Sequence, residues 1–111
     1  MDAVARALAE PRRREILRLV RDQEVSVSAI AEQFPVSRPA ISQHLRVLQE
    51  AELVTVRSVG TRRYYRARPE GLTELRSWLD GFWSDRLTRL KVEVEQEQWR
   101  KRNENRPGRK S

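Results

Sequence analysis
The sequence predicts a small fold of the α+β class, mostly α with a two-stranded β-hairpin. Three observations predict it. Ser37 to Glu50 carries Ile41, Leu45 and Leu48 at helical spacing behind a serine suited to capping. Residues 53–59 and 62–68 alternate apolar and polar side chains on either side of Gly60-Thr61, which is the pattern of a hairpin. From Pro69 to about Trp99 a further apolar stripe recurs with helical period. Residues 1–99 are expected to form one folded domain. Residues 100–111 contain no large apolar side chain and are expected to form a basic, disordered tail.

The bulk properties narrow the function. A chain of 111 residues suits one domain with a modest core. Its net charge of +7 points to a polyanionic partner, most often nucleic acid. There is no cysteine, which excludes disulfides, thiolate metal sites and cysteine nucleophiles. No apolar run approaches a membrane span, and the N-terminus lacks the hydrophobic core of a signal peptide. A soluble, intracellular protein with no membrane partner is expected.

The elements follow in order. Asp2 to Glu10 is a short helix with Val4 and Leu8 on one side, too short to be stable without packing on something larger. Pro11 opens a second helix, Arg12 to about Arg21, with Ile16, Leu17 and Val20 inward. Its arginines read either as a solvated face or as phosphate contacts, and the solvated face is preferred for most of them. Ser26 or Ser28 caps a short third helix that ends near Phe34, and Pro35-Val36 breaks it. Ser37 then caps the 37–50 helix, with Pro39 in the first turn where a missing N–H is tolerated. Helix, tight link and helix make a helix-turn-helix. The hairpin and the last helix complete a winged helix-turn-helix. The last helix places Leu72, Leu75, Leu79, Phe82, Trp83, Leu87, Leu90 and Val94 on one stripe, longer than a domain of this size covers. The helix either folds back on its own core or pairs with its copy. The second reading is preferred and gives a symmetric homodimer through the terminal helices, with Val4, Leu8, Leu75, Leu79, Phe82, Trp83, Leu87 and Leu90 at the interface.

The 37–50 helix presents hydrogen-bonding and basic groups opposite its apolar stripe. Ser37, Arg38, Ser42, Gln43 and Arg46 are candidate contacts to double-stranded DNA. Arg38 suits a bidentate bond to guanine and Gln43 one to adenine, while Pro39 and Ala40 suit a thymine methyl. On the hairpin, Arg62 and Arg63 suit a narrow minor groove. Arg57 is a further candidate, although it and Arg66 read equally well as a solvated strand face. Between Arg38 and Arg68 seven arginines face two glutamates, so positive charge concentrates where a DNA reader needs it. His44, the single histidine, lies at the edge of the apolar stripe. Alone it makes neither a metal site nor a catalytic set, and a half-buried structural role is expected. No set of catalytic residues is present, so an enzyme is not expected.

Several segments resemble those of bacterial repressors of the ArsR/SmtB type. Ala7-Leu8-Ala9-Glu10-Pro11-Arg12-Arg13-Arg14-Glu15-Ile16-Leu17 is similar to their opening, and residues 37–48 to their recognition helix. Gly60-Thr61-Arg62-Arg63-Tyr64-Tyr65 resembles their wing. Gly71-Leu72 with Trp78-Leu79 and Phe82-Trp83 resembles their closing helix. The resemblance implies a homodimeric, cytoplasmic, nucleoid-associated regulator that represses, often at its own promoter, by binding a palindromic operator until a signal releases it. Founding members of that family sense metals, commonly through two cysteines before the recognition helix. The matching stretch here, Glu24 to Ile30, carries serines, and the last helix has no histidine. A hydroxyl is a poor ligand for soft or borderline metals. The resemblance is therefore closer to the metal-independent branch, with no cofactor and an effector that the residues do not specify. A protein-interaction module and a sequence-blind architectural DNA binder are the alternatives. The arginine, serine and glutamine on the 37–50 helix speak against both.

Overall fold
The computed structural model describes residues 1–104, with side chains described for residues 1–84 and 93–102. The helices are α1 (Asp2–Ala9), α2 (Pro11–Leu19), α3 (Val27–Glu32), α4 (Arg38–Glu50) and α5 (Thr73–Glu104). The strands are β1 (Val25–Ser26), β2 (Val54–Val59) and β3 (Arg62–Ala67), and a 3₁₀ turn, Pro69–Leu72, precedes α5. The chain divides into two units, Met1–Arg76 and the remainder from Ser77.

In the first unit, α1 and α2 are joined at a break made by Glu10 in extended conformation and Pro11 at the start of α2. The arginines of α2 close the end of α1. Arg13 donates from Nε to the Ala7 carbonyl at 2.7 Å and from Nη2 to the Arg6 carbonyl at 3.0 Å, and Arg14 donates to the Leu8 carbonyl at 2.6 Å. Carbonyls at a helix end have no intrahelical partner and favour cations. These two arginines thus have a structural task beyond a solvated face. Arg12 stacks over the Phe34 ring at 4.9 Å.

Both helices of the helix-turn-helix start at serine caps. Ser26 Oγ accepts from the Ala29 amide at 3.1 Å, and Ser37 Oγ from the Ala40 amide at 3.3 Å. The expected stripe of α4 is buried, with Ile41, Leu45 and Leu48 each at 0% exposure against Ile16 and Ile30. Val4 also lies in this core, at 8% exposure. Its own chain covers most of that side chain, so Val4 offers less surface to a partner than the exposed aromatics of α5 do. Leu8 and Leu75 are half-buried and pack against the same core.

The end of α4 is set by backbone geometry. Glu52 takes φ 59, the Glu52 amide donates to the Gln49 carbonyl, and the Leu53 amide donates to the Leu48 carbonyl, both at 2.9 Å. This is a Schellman ending with glutamate where glycine is usual. It turns the chain directly into the hairpin. Gly60 takes φ 60 between the closing pair Val59 and Arg62, and Thr61 does not share the positive φ, as in a type II′ turn.

The hairpin forms as expected, but the sheet has three strands in the order β1-β3-β2. Val25 pairs with Tyr65 and Ser26 with Tyr64, both antiparallel. A two-residue strand is too short to show an alternation of its own, so the hairpin alone was visible in the residues.

In the second unit, α5 continues through Glu104 rather than stopping near Trp99. The apolar signal ends at Trp99, but Glu, Gln, Arg and Lys are good helix formers, and Lys101 pairs with Glu97 at i,i+4 (3.6 Å). The rest of the expected tail, residues 105–111, lies outside the described residues. Trp78, Phe82 and Trp83 are 54%, 62% and 56% exposed. Trp78 and Phe82 form an edge-to-face pair with centroids 4.9 Å apart. Leu79 is half-buried, and the side chains of Leu87 and Leu90 lie outside the described residues.

Candidate nucleic-acid interface
Burying Ile41, Leu45 and Leu48 fixes the rotation of α4, and the opposite face follows from it. Arg38, Ser42, Arg46 and Gln49 recur at helical spacing and line one open groove of 700 Å³. Its second wall is the wing, with Thr61, Arg62 and Arg63 at the tip and Tyr65 below. Its third is the start of α3, from Ser26 to Ala29, with Glu32. Four guanidinium groups therefore face one carboxylate. Among the described residues none of those four guanidiniums takes part in an ion pair within the chain. Unpaired arginines around a polar, open groove suit phosphate and base edges.

Of the residues singled out in the sequence, the groove collects Arg38, Ser42, Arg46, Arg62 and Arg63. Ser37, Pro39 and Gln43 are exposed on the first half of α4 without lining it, and Ala40 is half-buried. Gln49, which the sequence places on the same polar face without ranking it as a contact, also lines it, as do Ser28 and Thr61. Gln49 lies three residues beyond Arg46 and seven beyond Ser42 on that face.

Arg57 is placed differently. It does not line the groove but donates to Glu24, from Nη2 to Oε2 at 2.7 Å and from Nε to Oε2 at 2.9 Å and Oε1 at 3.1 Å. Its guanidinium also lies over the Tyr64 ring, 5.3 Å from the centroid. The hydrogen bond from Arg57 holds the Glu24 carboxyl below the usual carboxylate range, and the same bond raises Arg57.

His44 is half-buried, with Nδ1 3.4 Å from Arg13 Nη1. Burial lowers its pKa from the ordinary value of 6.5, and the neighbouring Arg13 charge lowers it further. Both effects work against the charged ring beside Arg13. Among the described residues no group of three or more His, Cys, Asp or Glu side chains could hold a metal ion. No helix there is long and apolar enough to cross a membrane.

The family model of the bacterial regulatory proteins of the arsR family matches residues 10–56, from the α1–α2 break into β2. The chain is also 47% identical over 87 residues to the HTH-type transcriptional regulator Rv2034 of Mycobacterium tuberculosis, covering 78% of this chain and 81% of that protein. The chain belongs to the ArsR family. A second relative of this ArsR-family chain is the transcriptional repressor SdpR of Bacillus subtilis, 34% identical over 82 residues, covering 74% of this chain and 91% of the relative. Among solved structures, it resembles the homodimeric winged helix-turn-helix DNA-binding domain of Mb0332 from Mycobacterium bovis. The TM-score is 0.60 and the identity 33%, over 76% of this chain and 78% of that one. This ArsR-family protein is a DNA-binding transcriptional regulator with a winged helix-turn-helix fold, a non-enzymatic class.

Proposed function
We propose that this regulator is a homodimeric repressor that binds a palindromic operator with α4 in the major groove and the β2–β3 wing along the minor groove. The observation that carries the reading is the single groove in which Arg38, Ser42, Arg46 and Gln49 of α4 face Arg62 and Arg63 of the wing. In it Arg38 reads guanine, Arg46 meets phosphate, and the wing arginines enter or flank the minor groove. Gln43, with Ser37, Pro39 and Ala40, lies at the start and first half of the helix outside the groove lining and reads neighbouring bases. SdpR, a relative named as a repressor, supports the repressing role. The homodimeric state of Mb0332 supports pairing. The exposed Phe82 and Trp83, with Leu79, are the surface that pairing through α5 would cover. Two copies then present two recognition helices to two half-sites.

The same reading makes the protein metal-independent and places it in the bacterial cytoplasm, at the nucleoid. Ser26 stands in the stretch where the family resemblance would put metal-binding thiolates, and here its hydroxyl serves as the cap of α3. The released state would answer to an effector other than a metal ion.

Fluorescence anisotropy tests the reading. The probes are a duplex enriched by the protein from a random-sequence pool and a scrambled duplex, each at two salt concentrations. Preference for the enriched duplex that survives higher salt, and that drops about tenfold or more in Arg38→Ala, is the expected result, since one bidentate base contact is worth about 1–3 kcal/mol. Equal binding to both duplexes that collapses together with salt would replace the reading with sequence-blind attraction.

A further inference from the structure
The Glu24–Arg57 pair crosses the whole width of the sheet. Glu24 stands immediately before β1, β1 pairs with β3, and β3 pairs with β2, which carries Arg57. Arg57 also pairs directly with Tyr64 across β2–β3 and lies over its ring. The carboxylate takes three contacts from one guanidinium, and the aromatic ring supports the same group from below. Two residues beyond Glu24 is Ser26, whose hydroxyl caps α3. Three residues beyond Arg57 is Gly60, at the wing tip. The pair thus joins the start of the helix-turn-helix to the outer strand of the wing, which among the described residues has no strand neighbour on its far side.

Exposed ion pairs of this kind contribute little to folding stability. Arg57 and Glu24 together also bring no net charge to a duplex. We propose that Glu24 and Arg57 form a clasp that sets the position of the wing arginines against α4, which makes both of them positioning residues for DNA binding and not DNA contacts. The inference rests on the reading above that Arg62 and Arg63 meet DNA. The opposing account makes Arg57 a phosphate contact. Glu24 would then be a competitor for it, and the two accounts give Glu24→Gln opposite signs.

The test uses the full chain and the duplex enriched by the wild-type protein, with far-UV circular dichroism to confirm that each variant is folded. Glu24→Gln and Arg57→Ala are each expected to weaken binding about threefold to tenfold, the size of a modest network coupling, with the double variant no weaker than the singles. The slope of log K against log salt stays unchanged in Arg57→Ala. The loss caused by Arg62→Ala shrinks in the Glu24→Gln background. Tighter binding by Glu24→Gln, together with a salt slope lowered by about one unit in Arg57→Ala, would make Arg57 a phosphate contact and overturn the clasp. An Arg62→Ala loss of equal size in both backgrounds would also overturn it while leaving the wing reading intact. If Arg62→Ala and Arg63→Ala change nothing in the wild-type background, the wing reading itself fails and the clasp falls with it.

Discussion
Gly71 shows how closely single residues are fitted around the end of the recognition helix. A Cβ at this position would overlap the Glu52 carbonyl, a backbone atom fixed by the Schellman turn, and would press on Leu53. Gly71→Ala is therefore expected to destabilise the fold by about 1–3 kcal/mol, the usual cost of overpacking, read as a lower urea midpoint with an unchanged m-value. His44 gives a pH dependence. Burial and Arg13 hold its folded pKa below 6.5, so the unfolded chain binds the extra proton more readily. The stabilising contribution is complete above pH 6.5 and is lost as pH falls through the lowered folded value. Urea melts across that window should show a slope that disappears in His44→Gln. An identical slope in that variant would assign the effect to other groups.

Among the elements, those with their own periodicity were legible in the sequence. The stripe and cap of α4, the hairpin around Gly60 and the start of α2 at Pro11 each follow from a local rule, and each is present. What was not legible depends on partners distant in the chain. β1 exists because β3 offers it an edge, and nothing within Val25-Ser26 announces it. The bond from Arg57 to Glu24 spans 33 residues, so a strand arginine could equally be read as solvated. Apolar spacing does not say which surface covers a side chain, and Val4 is covered largely by its own chain. The arginines of α2 carry the same lesson, since Arg13 finds its acceptors on α1, six and seven residues back. Arg13→Met keeps the apolar stem but leaves the Ala7 and Arg6 carbonyls without this donor. It should cost about 1–2 kcal/mol. Hydrogen exchange at α1 is the most direct readout, with protection falling there first.

For the whole molecule, the aromatic face of α5 is an exposed apolar surface among the described residues. Trp78, Phe82 and Trp83 are each more than half exposed on adjacent turns, and an apolar patch of that kind commonly marks an interaction site. If the chain pairs through α5 as proposed, Trp83→Glu is expected to shift it from dimer to monomer in sedimentation at micromolar concentration. DNA affinity should fall with it, because half-site contacts no longer add. A dimer unchanged by this substitution would move the proposed interface away from that face.

The wing tip has a consequence for how regulators of this design diverge. A side chain added at Gly60 would meet nothing within 4 Å, and the strands are already in register behind it at Val59 and Arg62. Because strand side chains alternate with period two, inserting one residue on each side of the turn extends the ribbon without turning any core-facing side chain outward. The reach of the wing along a duplex can then change without disturbing α4, the helix proposed to read bases, or the core beneath it.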